Sequence, residues 1–219
     1  MNLIVLKLGY GTTTRLTNFT ELKPNIKGEN NMRTLMISAH PEWVEKILKG
    51  EKTIEVRPWI PKGELPLKVL IYVTKGEQLE RHWTKILPLS EQFILYGQKV
   101  EKDRLSSPHC LNGRVVASFI LNKVEEIIGF GDEKTKKRSI EILKMACLTP
   151  YQAQIYLVKD CSDTSTRIVG YAWHIDDLEI FDKPKELSEF YHYKKKLIDC
   201  GEVKVPLTKA PQKMVWVVE

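Results

Sequence analysis

The sequence predicts an α+β protein, in which a small and strongly bent sheet or barrel has helices packed outside it. Roughly five to seven short strand patterns occupy the start, middle and end of the chain, and longer helical patterns interrupt them. The length of 219 residues suits one domain with additions. The hydrophobic content of 42% and the charged content of 28% are ordinary for a globular protein.

The first strand pattern and the first helix pattern follow each other closely. Arg33–Ser38 is apolar in its centre and predicts a strand, after which Ser38 or His40 can cap a helix that begins near Pro41. The apolar stripe of this helix predicts core residues at Trp43, Val44, Ile47 and Leu48. Gly50 fits the left-handed position that ends such a helix.

A second strand pattern begins directly after this helix. Ile54 and Val56 point to one of its faces, whereas Glu55 and Arg57 point to the other, and Lys52 lies at the corner between helix and strand. One interpretation is a solvated strand face with a weak surface ion pair. The other is a functional corner, because a fold has little need for Lys, Glu and Arg together in one place.

The rest of the chain alternates between strand and helix patterns. Strands are predicted at Val69–Val73, Arg114–Val124, Arg167–Ile175, Leu178–Phe181 and Met214–Val218. Helices are predicted at Glu80–Ile86, Ser90–Tyr96, Asp132–Ala146 and 149–157, and a helix or turn at Leu187–Tyr193. Residues 77–112, which contain the first two of these helices, are polar and irregular, and we interpret them as an insertion.

Residues 1–31 differ in composition from the remainder of the chain. They are polar for most of their length and rich in Thr, Asn and Gly, so we expect them to be poorly ordered. A sharper hypothesis is that they are a translated leader and that Met32 is the true start, since Lys27–Met32 can be encoded by a bacterial ribosome-binding site followed by a start codon. The intact mass of the protein made from its native locus would test this.

Charge and cysteine spacing narrow the function classes. The net charge of +6 favours a polyanionic partner, and the run at 134–138 is either a solvated helix end or a nucleic-acid patch. The four cysteines form no close pair, so we expect no zinc knuckle. We also expect no other metal site and no cofactor. Scattered free cysteines suit the reducing cytosol, and no apolar run approaches the roughly 18 residues of a membrane span. We therefore expect a cytoplasmic protein that does not enter a membrane.

The corner at residues 50–57 carries a resemblance to a known family. Gly50, Lys52, Glu55 and Arg57 match all four fixed positions of GxKxxExR, the pattern of the ASCH domain. Later stretches resemble ASCH proteins found in phages and firmicutes; these are Gly113–Ala117, Tyr171–Leu178 with Pro184, and Pro211 with Gln212. The resemblance covers about residues 33–219.

This resemblance implies a PUA-like fold, a bent β-barrel with helices packed outside, and a cleft beside the first helix. It implies an RNA- or nucleotide-binding protein that regulates translation or transcription. Some members resemble enzymes instead, namely an amidohydrolase that removes the acetyl group of acetylcytidine and a ribonuclease. Lys52 matches the lysine of the amidohydrolase branch, but Glu55 stands where that branch has a threonine, and a carboxylate does not simply replace a hydroxyl nucleophile.

Two main hypotheses result, and both make RNA or a modified nucleoside or nucleotide the partner. In the first, a binding module contacts its ligand through Lys52, Glu55, Arg57, Trp59, Trp173, His174 and Gln212. In the second, a hydrolase uses Lys52 as its base. Three of the binding candidates have structural alternatives, because Trp59 can cover a core edge, His174 can be a satisfied core residue and Gln212 can cap a strand end. A protein-interaction or phage accessory role is a third possibility.

Overall fold

The computed structural model describes residues 32–75, 83–86, 92–96, 107–128, 132–157, 169–195 and 201–218. The predictions for residues 1–31 lie outside these described residues. The strands are β1 (Thr34–Ala39), β2 (Ile54–Arg57), β3 (Leu67–Val73), β4 (Trp83–Ile86), β5 (Phe93–Tyr96), β6 (Val115–Leu121), β7 (Val124–Ile128), β8 (Val169–His174), β9 (Asp176–Lys185), β10 (Tyr191–Lys195), β11 (Glu202–Pro206) and β12 (Met214–Val217). The helices are α1 (Pro41–Leu48), α2 (Glu133–Met145) and α3 (Pro150–Leu157).

The largest sheet has five strands in the order β12-β1-β3-β6-β9. Strands β1 and β3 are parallel, and the other neighbours are antiparallel. The connection between the two parallel strands contains α1 and β2, so the signature corner lies within a crossover of this sheet. Its central strands are buried on both faces, which explains why β3 is an almost continuous apolar run.

A smaller sheet with the order β2-β8-β7 carries the signature strand. In its antiparallel register, Glu55 lies opposite Trp173 and Arg57 lies opposite Tyr171. Helices α2 and α3 pack on this sheet through a cluster formed by Ile54, Val56, Ile127, Ile142, Leu143, Ala146, Ala153 and Ala172. Burial of that cluster, at about 25 cal/mol per Å² of apolar surface, holds the second half of the chain against β2.

The other two apolar clusters lie on opposite faces of the five-stranded sheet. One contains Val44 and Ile47 of α1 together with Trp173. The other contains Met36, Leu70, Phe190 and Leu207, so the segment after β11 packs there. The sheet is therefore covered on both sides, and its strand ends surround the corner formed by α1 and β2.

Most predicted elements are confirmed with boundaries shifted by a few residues. Helix α1 begins at Pro41, and Gly50 adopts a φ of 72° just beyond its end, as predicted. His40 is the N-cap residue but makes no side-chain capping bond. Helices α2 and α3 also lie where the patterns predict them, and the Asp132 side chain caps α2 by accepting from the backbone N of Thr135 at 2.8 Å.

Several predictions of local structure were wrong. The helices predicted at 80–86 and 90–96 are instead the antiparallel strands β4 and β5, and much of the predicted insertion at 77–112 lies outside the described residues. Strand β9 runs on through Lys183 and Pro184 to Lys185, whereas the predicted strand ends at Phe181. The helix or turn predicted at Leu187–Tyr193 is a short 3₁₀ turn at Leu187–Glu189, which leads into β10.

The mixed α and β composition is confirmed, whereas a closed barrel is not. In the part of the chain that the structure describes, the strands form sheets of five, three, two and two strands. These sheets do not join into a continuous hydrogen-bonded ring. The PUA-like form of the fold therefore stays a prediction.

Candidate functional site

Strand β2 presents two charged side chains that are buried rather than solvated. Glu55 and Arg57 are each 6% exposed, and Lys52 beside them is 3% exposed. The alternation along the strand is as predicted, because Ile54 and Val56 enter the apolar cluster beneath α2 and α3. A solvated face with a weak surface pair is therefore not what this corner forms.

The three buried charges make one connected group, which we call the signature triad (Lys52, Glu55 and Arg57). Oε1 of Glu55 lies 2.9 Å from Nη2 of Arg57, and Oε2 lies 3.3 Å from Nζ of Lys52. One carboxylate thus serves two cations, and the triad carries a net charge of +1. Burying an uncompensated charge is costly, so a site of this kind favours an anion or a strong hydrogen-bond acceptor nearby.

Lys52 also completes the C-terminal end of α2. Its ammonium donates to the carbonyl O of Ile54 at 2.7 Å and to that of Ala146 at 3.0 Å. The backbone N of Thr53 donates to the carbonyl O of Met145 at 3.0 Å. The carbonyls of Met145 and Ala146 lie at the end of a helix, where they lack intrahelical partners and where a cation is favourable.

The ammonium of Lys52 is therefore fully engaged. It has three N–H donors, and two carbonyls and the Glu55 carboxylate lie around it. This arrangement gives Lys52 a structural role that the sequence did not reveal. It also leaves Arg57 as the cation of the triad with hydrogen-bonding capacity to spare.

Arg57 is held in place by a backbone carbonyl and by the Glu55 carboxylate. Its Nη2 donates to the carbonyl O of Ser38 at 2.9 Å and also faces the Glu55 carboxylate. Its Nε is buried and has no hydrogen-bond partner among the described residues. Buried donors in native proteins are nearly always paired, so this N–H gives Arg57 a hydrogen-bonding capacity that the described residues do not use.

The triad forms one wall of a cleft of about 570 Å³, which we call the Arg57 cleft. This volume lies in the range of about 300–1,000 Å³ that is typical of small-molecule sites. The strand β1 end, α1, β2 and α3 all contribute to the lining. Its apolar and aromatic part is formed by Ala39, Trp43, Val56, Leu148, Ile155 and Tyr156, and its uncharged polar part by Ser38, Thr74, Gln152 and Gln212.

Tyr156 of α3 places a hydroxyl next to the triad. Burial raises the pKa of this hydroxyl above its ordinary value, and the positive charge of Arg57 and a hydrogen bond from it act in the opposite direction. The negative charge of Glu55 adds to the rise. Tyr156 is therefore a neutral hydrogen-bonding group at neutral pH, and its ring adds aromatic surface to the cleft.

Four of the seven predicted ligand residues come together in the Arg57 cleft, and three do not. Lys52, Glu55, Arg57 and Gln212 line it. Trp59 and Trp173 instead pack edge to face, with ring centroids 5.0 Å apart, in the main apolar cluster. Trp173 is 0% exposed, so its ring is not accessible to a base.

His174 lies in a different cluster on the small sheet. Its Nε2 lies 2.6 Å from Oε1 of Glu125, which also receives Nη2 of Arg138 at 2.7 Å and Nζ of Lys123 at 2.9 Å. The hydrogen bond from Arg138, with those from Lys123 and His174, lowers the pKa of Glu125 from 4.5 to about 2. This group acts as a structural ion cluster that ties α2 to β7 and β8.

Sequence reasoning missed the contribution of α3 to the cleft. Gln152, Ile155 and Tyr156 line it, although no periodic pattern along this helix distinguishes them. Trp43 was predicted as core but is only half-buried and lines the cleft as well. The available signal was the apolar excess of α3, where Ile155 stays 55% exposed despite its hydrophobic side chain.

The described residues were also searched for membrane-spanning helices and for metal-binding groups. No helix in the described ranges is both long and apolar enough to cross a membrane. Among the same residues, no group of His, Cys, Asp and Glu side chains is arranged to hold a metal ion. Of the four cysteines, Cys110 and Cys147 are described; Cys110 is buried and Cys147 is half-buried.

Comparisons with known proteins point to similar solved structures. No family model and no curated protein matches the chain. The chain is similar to the crystal structure of ASCH from Zymomonas mobilis, at 19% identity and a TM-score of 0.46, over 85% of this chain and 88% of that one. A tyrosine-to-phenylalanine variant of that protein matches at 18% identity and a TM-score of 0.46, over 85% of this chain and 91% of the other. These solved structures are ASCH structures, the family whose signature the sequence resembles.

Proposed function

We propose that this protein is an ASCH-type binding module whose Arg57 cleft takes a base or nucleotide of RNA. The observation that carries the proposal concerns Arg57, which lines the cleft and whose buried Nε–H has no hydrogen-bond partner among the residues that the structure describes. A base carbonyl or a phosphate oxygen would supply the missing acceptor. The net positive charge of the triad favours the same ligand chemistry.

The rest of the cleft supports a planar, polar-edged ligand. Trp43 and Tyr156 offer aromatic surface, on which bases pack favourably. Gln152 and Gln212 each carry an amide that both donates and accepts, as recognition of a base edge requires. We include a role in the regulation of translation or transcription, in the cytoplasm, as part of this proposal.

Binding is favoured over hydrolysis because of the position of Lys52. A general base needs a free lone pair, whereas this ammonium donates to two carbonyls and faces a carboxylate. Glu55 is likewise occupied by two cations. The amidohydrolase and ribonuclease alternatives are therefore less well supported than recognition without turnover.

Calorimetric titration of the full chain with nucleosides, modified nucleosides and nucleoside monophosphates tests the proposal. Arg57→Lys keeps the charge but removes the planar fork and its Nε–H. We expect its affinity to fall by about tenfold or more, since a hydrogen bond from a charged group contributes roughly 1.5–3 kcal/mol. Arg33→Lys is the matched control, because Arg33 lies over the Trp216 ring and does not line the cleft.

Mass spectrometry of the ligand completes this experiment. Saturable binding with unchanged ligand mass, lost in Arg57→Lys and kept in Arg33→Lys, is the expected result. Absence of binding to any of these compounds, or equal binding by both variants, would contradict the proposal. A new product mass in the wild-type reaction would favour the hydrolase alternative instead.

A further inference from the structure

Two further clefts lie beside the Arg57 cleft, and neighbouring clefts share lining residues. Thr74 lines both the Arg57 cleft and a second cleft of about 680 Å³. The second cleft shares Leu207, Thr208 and Lys209 with a third of about 380 Å³. The segment Leu207–Gln212 contributes lining residues to all three clefts, and we call the three clefts together the long groove.

The second and third clefts differ in chemistry from the Arg57 cleft. Three exposed lysines lie along them, Lys75, Lys194 and Lys209, with the hydroxyl groups of Ser188 and Thr208 between. The acid in the described lining of this part is Glu186, and its carboxylate is paired with Nε of Arg114 at 3.0 Å. That lining is therefore positively charged and rich in hydroxyl donors, which are the groups that contact nucleic-acid phosphates.

The segment Leu207–Gln212, which lines the long groove, is bonded to the rest of the fold near both of its ends. The backbone N of Leu207 donates to the carbonyl O of Phe190 at 2.8 Å, and the Leu207 side chain is buried. The carbonyl O of Pro211 accepts from Oγ of Ser38 at 2.6 Å, next to the triad. These bonds hold the basic part of the groove in a constant position relative to the Arg57 cleft.

Gly113 sets the course of the Lys75 side chain. A Cβ atom at Gly113 would lie 3.1 Å from Cε of Lys75, and its φ of 84° disfavours any larger residue. The aliphatic part of Lys75 therefore lies across this glycine. Lys75 is thereby placed in the lining of the second cleft.

We propose that the long groove binds a single-stranded RNA segment of several nucleotides, with one base in the Arg57 cleft and the adjoining phosphates along Lys75, Lys209 and Lys194. This inference rests on the proposed function and extends it from a nucleotide to an oligonucleotide. RNA fits better than an acidic peptide because the groove joins an aromatic, amide-lined cleft to a basic, hydroxyl-lined one. That order matches a base followed by its phosphates.

Fluorescence anisotropy with the full chain tests this inference. The probes are a fluorescein-labelled single-stranded RNA pool of about ten nucleotides, a length within the range bound by single-strand modules, and uncharged nucleosides as competitors. The variant is Lys75→Ala with Lys209→Ala. Its matched control is Lys134→Ala with Lys137→Ala, which removes the same charge from exposed positions of α2 outside the groove.

We expect the RNA to bind more tightly than nucleosides, with an affinity that falls steeply as salt rises. Each phosphate contact contributes a slope of about 0.7 in a plot of log affinity against log salt, so the groove variant should lower the slope by about 1.4. The α2 variant should leave that slope near the wild-type value. Nucleoside affinity should fall far less than RNA affinity in the groove variant.

Several outcomes would overturn the inference while leaving the proposed function intact. One is that RNA binds no more tightly than nucleosides, and another is that the α2 variant, rather than the groove variant, lowers the salt slope. If a polyglutamate peptide displaces the RNA, and if the peptide's own binding is lost in the variant with Lys75→Ala and Lys209→Ala, the groove is a site for an acidic peptide instead. Failure of nucleosides and RNA alike to bind would overturn the proposed function itself.

Discussion

Glu55 and Arg57 face each other across 2.9 Å, from Oε1 to Nη2, and each side chain is only 8% exposed. The second oxygen of Glu55 lies 3.3 Å from Nζ of Lys52, whose side chain is 2% exposed. Glu55 is thus the counter-ion of two buried cations at once. This relationship makes the carboxylate more important to stability than either cation is by itself.

Replacement of Glu55 by glutamine should strongly destabilise the protein. The change leaves two buried cations without a counter-ion, and loss of one partner of a buried pair costs about 3–5 kcal/mol. Chemical denaturation should show this loss in the free energy of unfolding. Glu42→Gln is the control, since Glu42 is 43% exposed and lies 3.8 Å from Lys46 on the surface of α1. That change should cost less than about 1 kcal/mol, and equal costs for the two variants would contradict the prediction.

Ligand binding should change the fluorescence of Trp43 rather than that of Trp173. Trp43 lines the Arg57 cleft, whereas Trp173 is fully buried against Trp59. We expect a nucleotide-dependent fluorescence change in the wild-type protein that Trp43→Phe abolishes. Trp173→Phe, provided that its circular dichroism spectrum stays native, should keep the change. A signal that survives in Trp43→Phe and disappears in Trp173→Phe would place the ligand elsewhere.

Acid should weaken the protein partly through Glu125. Its pKa of about 2 in the folded protein lies below the ordinary value of 4.5, mainly because Arg138 hydrogen-bonds the ionised form. A lowered pKa contributes stability that is present above the ordinary value and is lost as the pH falls through the folded value. The free energy of unfolding of the wild-type protein should therefore decline between pH 4.5 and about 2. Glu125→Gln should show a smaller decline over the same interval, and an identical decline would show that other groups carry it.

Alanine at position 170 should weaken ligand binding from a distance. A Cβ on Gly170 of β8 would lie 2.5 Å from Cδ1 and 2.8 Å from Cδ2 of Leu157, the last residue of α3. The contacting atoms are the end of the Leu157 side chain, so we expect this side chain to turn and the end of α3 to shift with it. The accompanying displacement of Tyr156 should lower the affinity for the ligand. The double variant Gly170→Ala with Leu157→Ala restores the space. Recovery of affinity in that variant would support steric displacement, whereas unchanged weak binding would argue against it.

The strand of the signature could be predicted because its pattern is local. The alternation of Ile54 and Val56 with Glu55 and Arg57 depends only on the geometry of a strand, and it is present as expected. The burial of its charged face could not be predicted in the same way. It depends on α2, α3 and the end of β1, which no local pattern of residues 50–57 specifies.

Strands β4 and β5 show a different limit. Short helices were predicted at Glu80–Ile86 and Ser90–Tyr96, yet the described parts of both segments pair with each other as strands. Part of the reason is Asn112. Its side-chain oxygen accepts from the backbone N of Leu95 at 2.8 Å, and its Nδ2 donates to the carbonyl O of Leu95 at 2.7 Å. The side-chain amide of Asn112, seventeen positions beyond Leu95, thus bonds the backbone of Leu95 as a neighbouring strand would. The periodicity of one short segment contains no information about such a distant partner.

The bond between Lys52 and Ala146 joins positions that are 94 residues apart in the chain. Residues 50–57 consequently cannot form this arrangement when they are moved into another protein by themselves. A peptide that spans residues 50–57, or a chimera that transplants only this segment, lacks the helix end that receives the ammonium. The geometry of this corner therefore depends on the second half of the chain, and a nascent polypeptide can form it only after α2 has been synthesised.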